Sequence, residues 1–151
     1  MNNFAFEKFD SLSDGTLELV LEGLIKAEPK LGGIPRYRLS VRLIGPDVEI
    51  GRIDLRLGYN EYVHVNGNIG YSISARYRGG GYAGRACRLL APLALRHGYR
   101  ALVITSAPDN AASNRVCEKL GAILADRLGP RQIGVLSADG DREKNVYVWA
   151  L

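Results

Sequence analysis

Three adjacent glycines, Gly79, Gly80 and Gly81, separate a strand-like stretch from the most helix-like segment of this 151-residue chain. Residues without a Cβ adopt positive φ angles readily and let a ligand approach the main chain closely. Where such a loop opens into a helix, the first-turn amides lack internal partners and the helix dipole adds positive potential. Residues 77–84 are therefore predicted to bind an anion, typically a phosphate, and the alternative is a flexible turn.

Two familiar phosphate-binding motifs do not fit this loop. A Walker loop ends in Gly-Lys-Ser/Thr, whereas Gly84 is followed by Arg85 and Ala86. The glycines match the spacing of a dinucleotide-binding loop, but the preceding residues 69–74 are half polar. Too little chain follows to build the further βαβ units that such a site needs.

The composition is typical of one globular domain, which is predicted to span residues 1–151, with 46% hydrophobic and 24% charged residues. The two cysteines, Cys87 and Cys117, lie in predicted helices without metal-ligand spacing, so neither a disulfide framework nor a metal site is expected. The sequence shows no signal peptide and no apolar run of membrane-spanning length. A cytoplasmic protein without a membrane partner is expected.

The chain is basic, with a formal net charge of +4 and a pI near 9.2. Clustered lysines and arginines can bind nucleic acid, but here the arginines are spread along the chain. One group, Arg76, Arg78, Arg85 and Arg88, surrounds the glycine loop. A mild positive field that attracts an anionic ligand explains this group, and no nucleic-acid partner is expected.

The hydrophobic pattern predicts a mixed arrangement of strands and helices. Strands are expected over residues 16–22, 37–43, 49–57, 70–75, 101–105, 123–125 and 146–150, with a helix as the alternative for residues 16–22. The second and third of these form an antiparallel hairpin, and residues 101–105 are predicted to be a parallel strand reached through the crossover helix after the glycine loop. In that helix Pro92 is expected to cause a kink or a missing hydrogen bond. Residues 1–15, 58–68 and the stretch before residue 146 are predicted to be an arm or loops.

The glycine loop also contains the pattern Arg-x-x-Gly-x-Ala, formed by Arg78, Gly81 and Ala83. This pattern resembles the acetyl-CoA signature of the GNAT superfamily of N-acetyltransferases. Residues 110–122 are similar to the second signature of that superfamily, and both lie in the expected order and spacing. The resemblance implies an α/β fold of the α+β type, with a mixed, mostly antiparallel central sheet flanked by helices. A splayed strand with a β-bulge would precede the glycine-rich loop.

The resemblance also implies the ligands and the residues that bind them. The cofactor would be acetyl-CoA and the acceptor an amine on a small molecule or peptide, with no metal and with a homodimer left open. The cofactor-binding residues would be Arg78, Gly79, Gly80, Gly81, Tyr82, Ala83, Gly84, Asn110 and Asn114. Asn110 has a second interpretation as a helix N-cap. The backbone N–H of Ile73 is predicted to face the thioester oxygen and to stabilise the charge that develops there.

The catalytic acid and base are less well defined, since this chain departs from the family pattern. Many members place a tyrosine at the position of Cys117 to protonate the departing thiolate. Cys117 is a candidate donor, with a small buried residue as the alternative, and Tyr71 or Tyr82 as substitutes. For the base, we expect a water chain that ends at Glu61, His64 or Asp54, although exposed loop residues often have no chemical role.

The sequence thus predicts an acetyl-CoA-dependent N-acetyltransferase in which the amine attacks directly, without a covalent enzyme intermediate. Families of this type often supply a glutamate as the base just before the glycine loop, where this chain has Asn66 and Asn68. The absence of this glutamate and of the tyrosine favours an alternative, a non-catalytic acyl-CoA-binding sensor or partner module. A third hypothesis, association with RNA, depends only on the basic charge.

Overall fold

The computed structural model describes residues 5–7, 9, 11–27, 29 and 32–151. The predicted amino-terminal arm therefore lies partly outside the described residues, and its described part contains a short strand. The strands are β1 Ser11–Ser13, β2 Leu17–Ile25, β3 Arg36–Leu43, β4 Val48–Arg56, β5 Ile69–Ile73, β6 Ala101–Ser106, β7 Ile123–Leu128 and β8 Lys144–Ala150. The helices are α1 Glu61–Asn66, α2 Tyr82–Arg96, α3 Ala111–Lys119 and α4 Pro130–Ile133, with a 3₁₀ turn at Ala75–Tyr77.

The amino-terminal half forms a five-stranded antiparallel sheet in the order β1-β2-β3-β4-β5. Side chains alternate between its two faces, so Ile53 and Leu55 of β4 are fully buried in the main core. The other face carries the charged neighbours Arg52, Asp54 and Arg56. This alternation places the acidic and basic groups of β4 on the face opposite the hydrophobic core.

The carboxy-terminal half forms a three-stranded sheet in the order β6-β8-β7, which is also antiparallel. The prediction of a parallel ladder for residues 101–105 is wrong, because β6 pairs with β8 and no parallel pairing occurs among the described strands. The hydrogen bonds that β6 was expected to form with a parallel neighbour are formed with the carboxy-terminal strand β8 instead. The predicted fold class, antiparallel strands flanked by helices in a mixed α/β domain, is confirmed.

The two sheets meet at Asn68 and separate beyond it. The Asn68 amide donates to the Val103 carbonyl at 2.7 Å, and the Val103 amide donates to Asn68 Oδ1 at 2.9 Å. Further along, β5 and β6 belong to different sheets, which leaves a slot between them. The register of β4 with β5 is continuous from Gly51–Ile73 to Leu55–Ile69, so the expected bulge is not in this pairing.

Helix α2 covers the buried face of the first sheet through Ala86, Cys87, Leu90, Leu93 and Ala94. It continues through Pro92 to Arg96. The ring of His97, the C-cap residue, lies 2.6 Å (Nε2 to Oη) from the hydroxyl of Tyr37. This contact fixes the far end of α2 to β3, away from the glycine loop at its beginning.

Two segments predicted as loops contain short helices. Asn60 caps α1, since its Oδ1 accepts from the Val63 amide at 3.0 Å. Gly129 precedes α4, which begins at Pro130. Asparagine, glycine and proline favour turns and helix starts alike, and helices of six and four residues show little periodicity. The sequence pattern therefore did not reveal either helix.

Candidate functional site

The slot opens into a cavity of about 1010 Å³ that runs between the glycine loop and the charged face of β4. Its volume is at the upper end of the range for small-molecule sites. On one side it is lined by Ile73, Tyr77, Arg78, Gly79, Gly81, Tyr82, Ala83, Gly84, Arg88, Asn110, Ser113, Arg115 and Lys119. On the other side it is lined by Arg52, Asp54, Arg56, Asn66, Gly70, Ala138, Asp139, Asp141 and Lys144.

The glycine loop has the backbone conformation that its sequence predicts. Gly79 has a φ of +85° and Gly81, the N-cap residue of α2, a φ of +77°, a region that favours glycine. A Cβ at Gly80 would lie 2.9 Å from the ring of Tyr82. The first helical hydrogen bond joins the Arg85 amide to the Gly81 carbonyl at 3.2 Å. The amides of Tyr82, Ala83 and Gly84 therefore have no partner within the helix.

Basic side chains surround this end of the cavity. Arg78 donates from Nε to the Ile73 carbonyl at 2.8 Å and thereby fixes the loop to the end of β5. Arg88 donates to the Lys119 carbonyl at 3.1 Å, which joins α2 to α3. Together with Arg115 and Lys119 these residues give the cavity mouth a positive charge. The arrangement suits a polyanionic ligand.

Arg85, which the sequence grouped with these residues, has another role. It forms an ion pair with Asp14 at 2.8 Å and contacts Thr16. Burial opposes ionisation of Asp14, but the amides of Leu17 and Thr16 and the Arg85 guanidinium outweigh it and lower the pKa of Asp14 to about 2. Arg85 therefore attaches the first turn of α2 to the β1–β2 connection.

The amide of Ile73 points into the slot. The Ser74 amide donates to the Ile50 carbonyl at 2.8 Å, and successive amides of a strand point to opposite edges. The amides of Ile73 and Tyr71 therefore point away from β4, toward the side on which β6 has separated. The Ile73 side chain is 8% exposed and belongs to the core, so only its backbone can serve the site.

Tyr71 and Ser113 form a polar pair in the wall of the cavity. The two hydroxyl oxygens are 2.7 Å apart, and burial raises the pKa of Tyr71 even though Ser113 partly offsets it. Sequence reasoning named Tyr71 as a substitute proton donor but missed Ser113. The available signal was the position of Ser113 three residues after Asn110, one helical turn into the second motif. The pair is the hydroxyl network that β5 and α3 bring together beside the slot.

The two asparagines of the second motif differ in what they contact. Asn110 lines the cavity and caps α3, accepting from the Ser113 amide at 3.2 Å, in agreement with its interpretation as an N-cap. Asn114 is not a cavity-lining residue. Its Nδ2 donates to the carbonyls of Ala107, Pro108 and Asn110, and its Oδ1 accepts from Ser106, Asn145 and Tyr147. These bonds leave the Asn114 side chain no capacity for the predicted cofactor contact.

Cys117 is fully buried in the main core and does not line the cavity. Burial raises the pKa of its thiol to about 12. The structure therefore favours the small core residue over the proton donor among the two interpretations of Cys117.

If the predicted acetyl transfer occurs, a Cys117→Ala variant is expected to retain its full rate, because the thiol has no contact with the cavity. The lost sulfur should lower the free energy of unfolding by about 1 kcal/mol. Initial rates and thermal denaturation of both proteins test this. A rate that falls by an order of magnitude in a folded variant would restore Cys117 as the acid.

Glu61 and His64, the two candidate bases on the predicted loop, lie outside the cavity. Glu61 is exposed in the first turn of α1. His64 lies 2.7 Å (Nδ1) from the Tyr59 hydroxyl and 3.2 Å (Nε2) from Asp126 of β7. The short helix turns both side chains away from the slot, so the structure does not support their predicted role.

The part of the cavity next to β4 contains three carboxylates, all in ion pairs. Asp54 accepts two hydrogen bonds from Arg38 at 3.1 Å each, with Arg36 at 3.6 Å. Lys144, which is 3% exposed, pairs with Asp139 at 2.7 Å and Asp141 at 3.3 Å. Burial opposes ionisation of Asp139, but Lys144 and Ser137 outweigh it and lower its pKa to about 2.

The chain thus has a slot between two separating sheets, with the glycine loop and basic side chains at one end of the slot. These features define its class of fold. A family model described as a GNAT acetyltransferase domain matches residues 13–123. The chain belongs to the GNAT acetyltransferase family. No curated protein gives a significant match.

Solved structures share this fold at low sequence identity. A structure described as a ribosomal-protein-serine acetyltransferase from Vibrio cholerae is 16% identical, with a TM-score of 0.69, and covers 97% of this chain and 100% of its own. A GNAT-family acetyltransferase from Bacillus anthracis is 22% identical, with a TM-score of 0.59, over 75% of this chain and 65% of its own. The self-immunity acetyltransferase MccE, solved with acetyl-CoA and AMP, is 20% identical, with a TM-score of 0.60, over 77% and 61%.

The described ranges contain neither a helix long and apolar enough to cross a membrane nor a group of metal-ligating side chains.

Proposed function

We propose that this protein is an acetyl-CoA-dependent N-acetyltransferase that acts on an amine of a small molecule or peptide. The observation that carries the proposal is the inward-pointing amide of Ile73 in a slot that also contains the glycine loop. One end of the cavity thus suits a polyanion, and a backbone donor lies between that end and the charged face of β4. Membership of the acetyltransferase family and the MccE complex with acetyl-CoA support it.

The residues of the cavity fit acetyl-CoA. When bound, acetyl-CoA supplies an acetyl group activated as a thioester. The amides of Tyr82, Ala83 and Gly84 and the dipole of α2 would hold its diphosphate, while Gly79 and Gly81 leave open the space a Cβ would fill. Gly80 does not line the cavity, and its missing Cβ makes room for the ring of Tyr82. Arg78 and Asn110 lie close enough to line the same space. We assign Asn114 to holding α3 in place rather than to the ligand.

Two groups beside the slot would promote the reaction, one by stabilising the transition state and the other by donating a proton. The Ile73 amide is fixed by the β4–β5 ladder and would donate to the carbonyl oxygen on which negative charge develops during attack. The hydroxyls of Tyr71 and Ser113 would deliver a proton to the departing sulfur. This assignment gives the Tyr71–Ser113 pair the role that the family pattern assigns to the position of Cys117.

Asp54 is the carboxylate that we assign to the acceptor's proton. An ammonium group has no lone pair, so an amine acceptor must lose a proton before or during attack. Of the three predicted bases, Asp54 lines the cavity, and Glu61 and His64 do not. Arg36 and Arg38 fix the orientation of Asp54, and a water molecule would connect it to the amine.

The ion pairs favour one alternative. Every carboxylate that lines the cavity in the described part of the chain has a cationic partner, which limits its use as a base. A non-catalytic acyl-CoA-binding module would need no base. Saturable acetyl-CoA binding without transfer to any amine would support that alternative.

The proposal is tested by release of free CoA and formation of N-acetylated product when the protein is mixed with acetyl-CoA and a panel of peptides and small amines. A Tyr71→Phe variant is expected to lower kcat on the order of 100-fold, because it removes the hydroxyl nearest Ser113. Its KM for acetyl-CoA should change little. Tyr99→Phe is the matched control, since Tyr99 is partly buried but does not line the cavity. Equal rates for all three proteins would contradict the role of Tyr71.

A further inference from the structure

Arg56 is a buried cation in the wall of the cavity, on the β4 side where the proposed acceptor would bind. It is 9% exposed and lies at the end of β4. Its Nη1 donates to the carbonyls of Asn66 and Gly67, each at 3.0 Å, where α1 ends. The guanidinium carbon lies 5.9 Å from the centroid of the Tyr62 ring. These contacts fix the guanidinium and use one of its three nitrogens.

The other two nitrogens of Arg56 have no hydrogen-bond partner in the described part of the chain. Nε is buried without a partner, and Nη2 takes part in no hydrogen bond there. Nε and Nη2 form the edge of the guanidinium that binds a carboxylate with two parallel bonds. Arg38, on the same face of the sheet, uses this edge to bind Asp54. Arg56 thus has the same donors without an acceptor. Nε is covered by the protein, whereas Nη2 retains surface through which a ligand can reach it.

Arg56 also has no direct ion-pair partner among the described residues. The carboxylate next to it on this face, Asp54, is occupied by Arg38 and Arg36. A buried charge without a counter-charge is costly, and removal from water favours pairing with an anion that enters the site. The cavity is the open space next to this group.

Gly70 gives the guanidinium its place in the wall. A Cβ at Gly70 would lie 3.0 Å from Nη2 and 3.3 Å from Nη1 of Arg56. The guanidinium therefore lies directly over the backbone of β5, at a position where a side chain would displace it. Gly70 has no positive φ, so close approach rather than backbone conformation accounts for the glycine.

We propose that Arg56 and Gly70 form a subsite for a carboxylate carried by the acceptor. Gly70 and Ile73 are three residues apart on β5, which corresponds to roughly 10 Å. An extended tripeptide has about the same length between its two ends. The acceptor class is therefore a peptide whose carboxylate lies near its third residue, as a free C-terminus or as an acidic side chain. This inference depends on the proposed function for the position of the reacting amine.

Equilibrium binding of reaction products tests the subsite without turnover. Binding of N-acetylated trialanine with a free carboxylate is compared with that of its carboxamide by calorimetry, in the presence of CoA. The free acid is expected to bind about 10- to 100-fold more tightly to the wild-type protein, as a charge-assisted hydrogen bond to a buried group allows. N-acetylated hexapeptide amides with glutamate or glutamine at the third position separate an internal acidic side chain from a free C-terminus.

Four variants test whether Arg56 and Gly70 account for the preference for the free acid. Arg56→Gln is expected to bind acid and amide equally, since it removes the charge. Gly70→Ala is expected to reduce the preference, because the guanidinium must shift by a few tenths of an ångström to clear the new Cβ. Arg42→Gln is the control, because it removes a positive charge from the same face of the sheet, is paired with Asp47, and does not line the cavity. It should keep the full preference. If Arg56→Gln fails to fold, Arg56→Lys is measured in its place. It retains the charge near the α1 carbonyls and should show a reduced preference for the free acid.

Each outcome has a distinct meaning. Equal binding of acid and amide by the wild-type protein, or no binding of either, would overturn the subsite. The same holds if Arg56→Gln and Gly70→Ala keep the full preference. Selective binding without acetylation of the corresponding free peptides would retain the subsite and reject the proposed enzymatic function. Acetylation of the peptides at equal rates with and without the carboxylate would reject the subsite and retain the proposed enzymatic function.

Discussion

Replacement of Gly81 by glutamate is expected to abolish measurable acetyl-CoA binding while the protein remains folded. The new carboxylate would lie at the N-terminus of α2, where the diphosphate is expected, and close like charges cost several kcal/mol. We expect the Kd for acetyl-CoA to rise at least about 100-fold. The positive φ of Gly81 adds a stability cost of roughly 1–2 kcal/mol for a residue with a Cβ. Calorimetric titration and thermal denaturation measure the two effects separately.

Gly98→Glu is the matched control for this variant. Gly98 has a φ of +85° and open space around its missing Cβ, so glutamate there causes similar strain and the same change in charge. It follows the opposite end of α2, remote from the glycine loop. The control should bind acetyl-CoA as the wild type does. Equal loss of affinity in both variants, or normal affinity in Gly81→Glu, would contradict the proposed cradle.

Asn114→Ala is expected to cause the largest loss of stability among the site variants, about 3 kcal/mol. Its Oδ1 accepts from Ser106 at 2.6 Å, from Asn145 at 3.2 Å and from Tyr147 at 3.0 Å. These three partners are all buried, and each buried donor left without an acceptor costs about 1–3 kcal/mol before relaxation. Denaturant unfolding of the free protein gives the free-energy difference.

Asn110→Ala is the comparison for Asn114→Ala, since Asn110 belongs to the same motif but makes only a cap bond in the free protein. Its loss should cost about 1 kcal/mol. The Kd for acetyl-CoA should change more in Asn110→Ala than in Asn114→Ala, measured at a temperature where both are folded. The opposite order would return Asn114 to the cofactor-binding residues.

The backbone conformation of the glycine loop and the direction of the Ile73 amide were predictable from sequence. Gly79 and Gly81 adopt positive φ, and the Ile73 amide points into the slot, because both depend on local conformation and on strand alternation. The hairpin of β3 and β4 also followed from the alternation in both strands and from the turn residues 45–47 between them. Signals of this kind depend on neighbours in the chain, which a sequence contains directly.

Side-chain roles that depend on distant elements were not predictable in this way. Glu61 and His64 were assigned to a loop near the acceptor, and a six-residue helix places them on its outer side. Arg56 and Gly70 are fourteen positions apart in sequence but in contact in space. The reason is that β4 and β5, which α1 separates in sequence, pair directly with each other. Lys144 lies at the cavity because it is the first residue of β8, which pairs with β7. Asp139 lies beside it through their ion pair.

The separation of β5 from β6 has a consequence for amide hydrogen exchange. On β5, the amides of Gly70 and Ser72 bond to β4, whereas those of Tyr71 and Ile73 point into the slot. One short strand therefore carries protected and exchangeable hydrogens in alternation, in a region that is otherwise firmly packed. Occupancy of the slot can be followed at two named backbone positions, with no acceptor and no turnover.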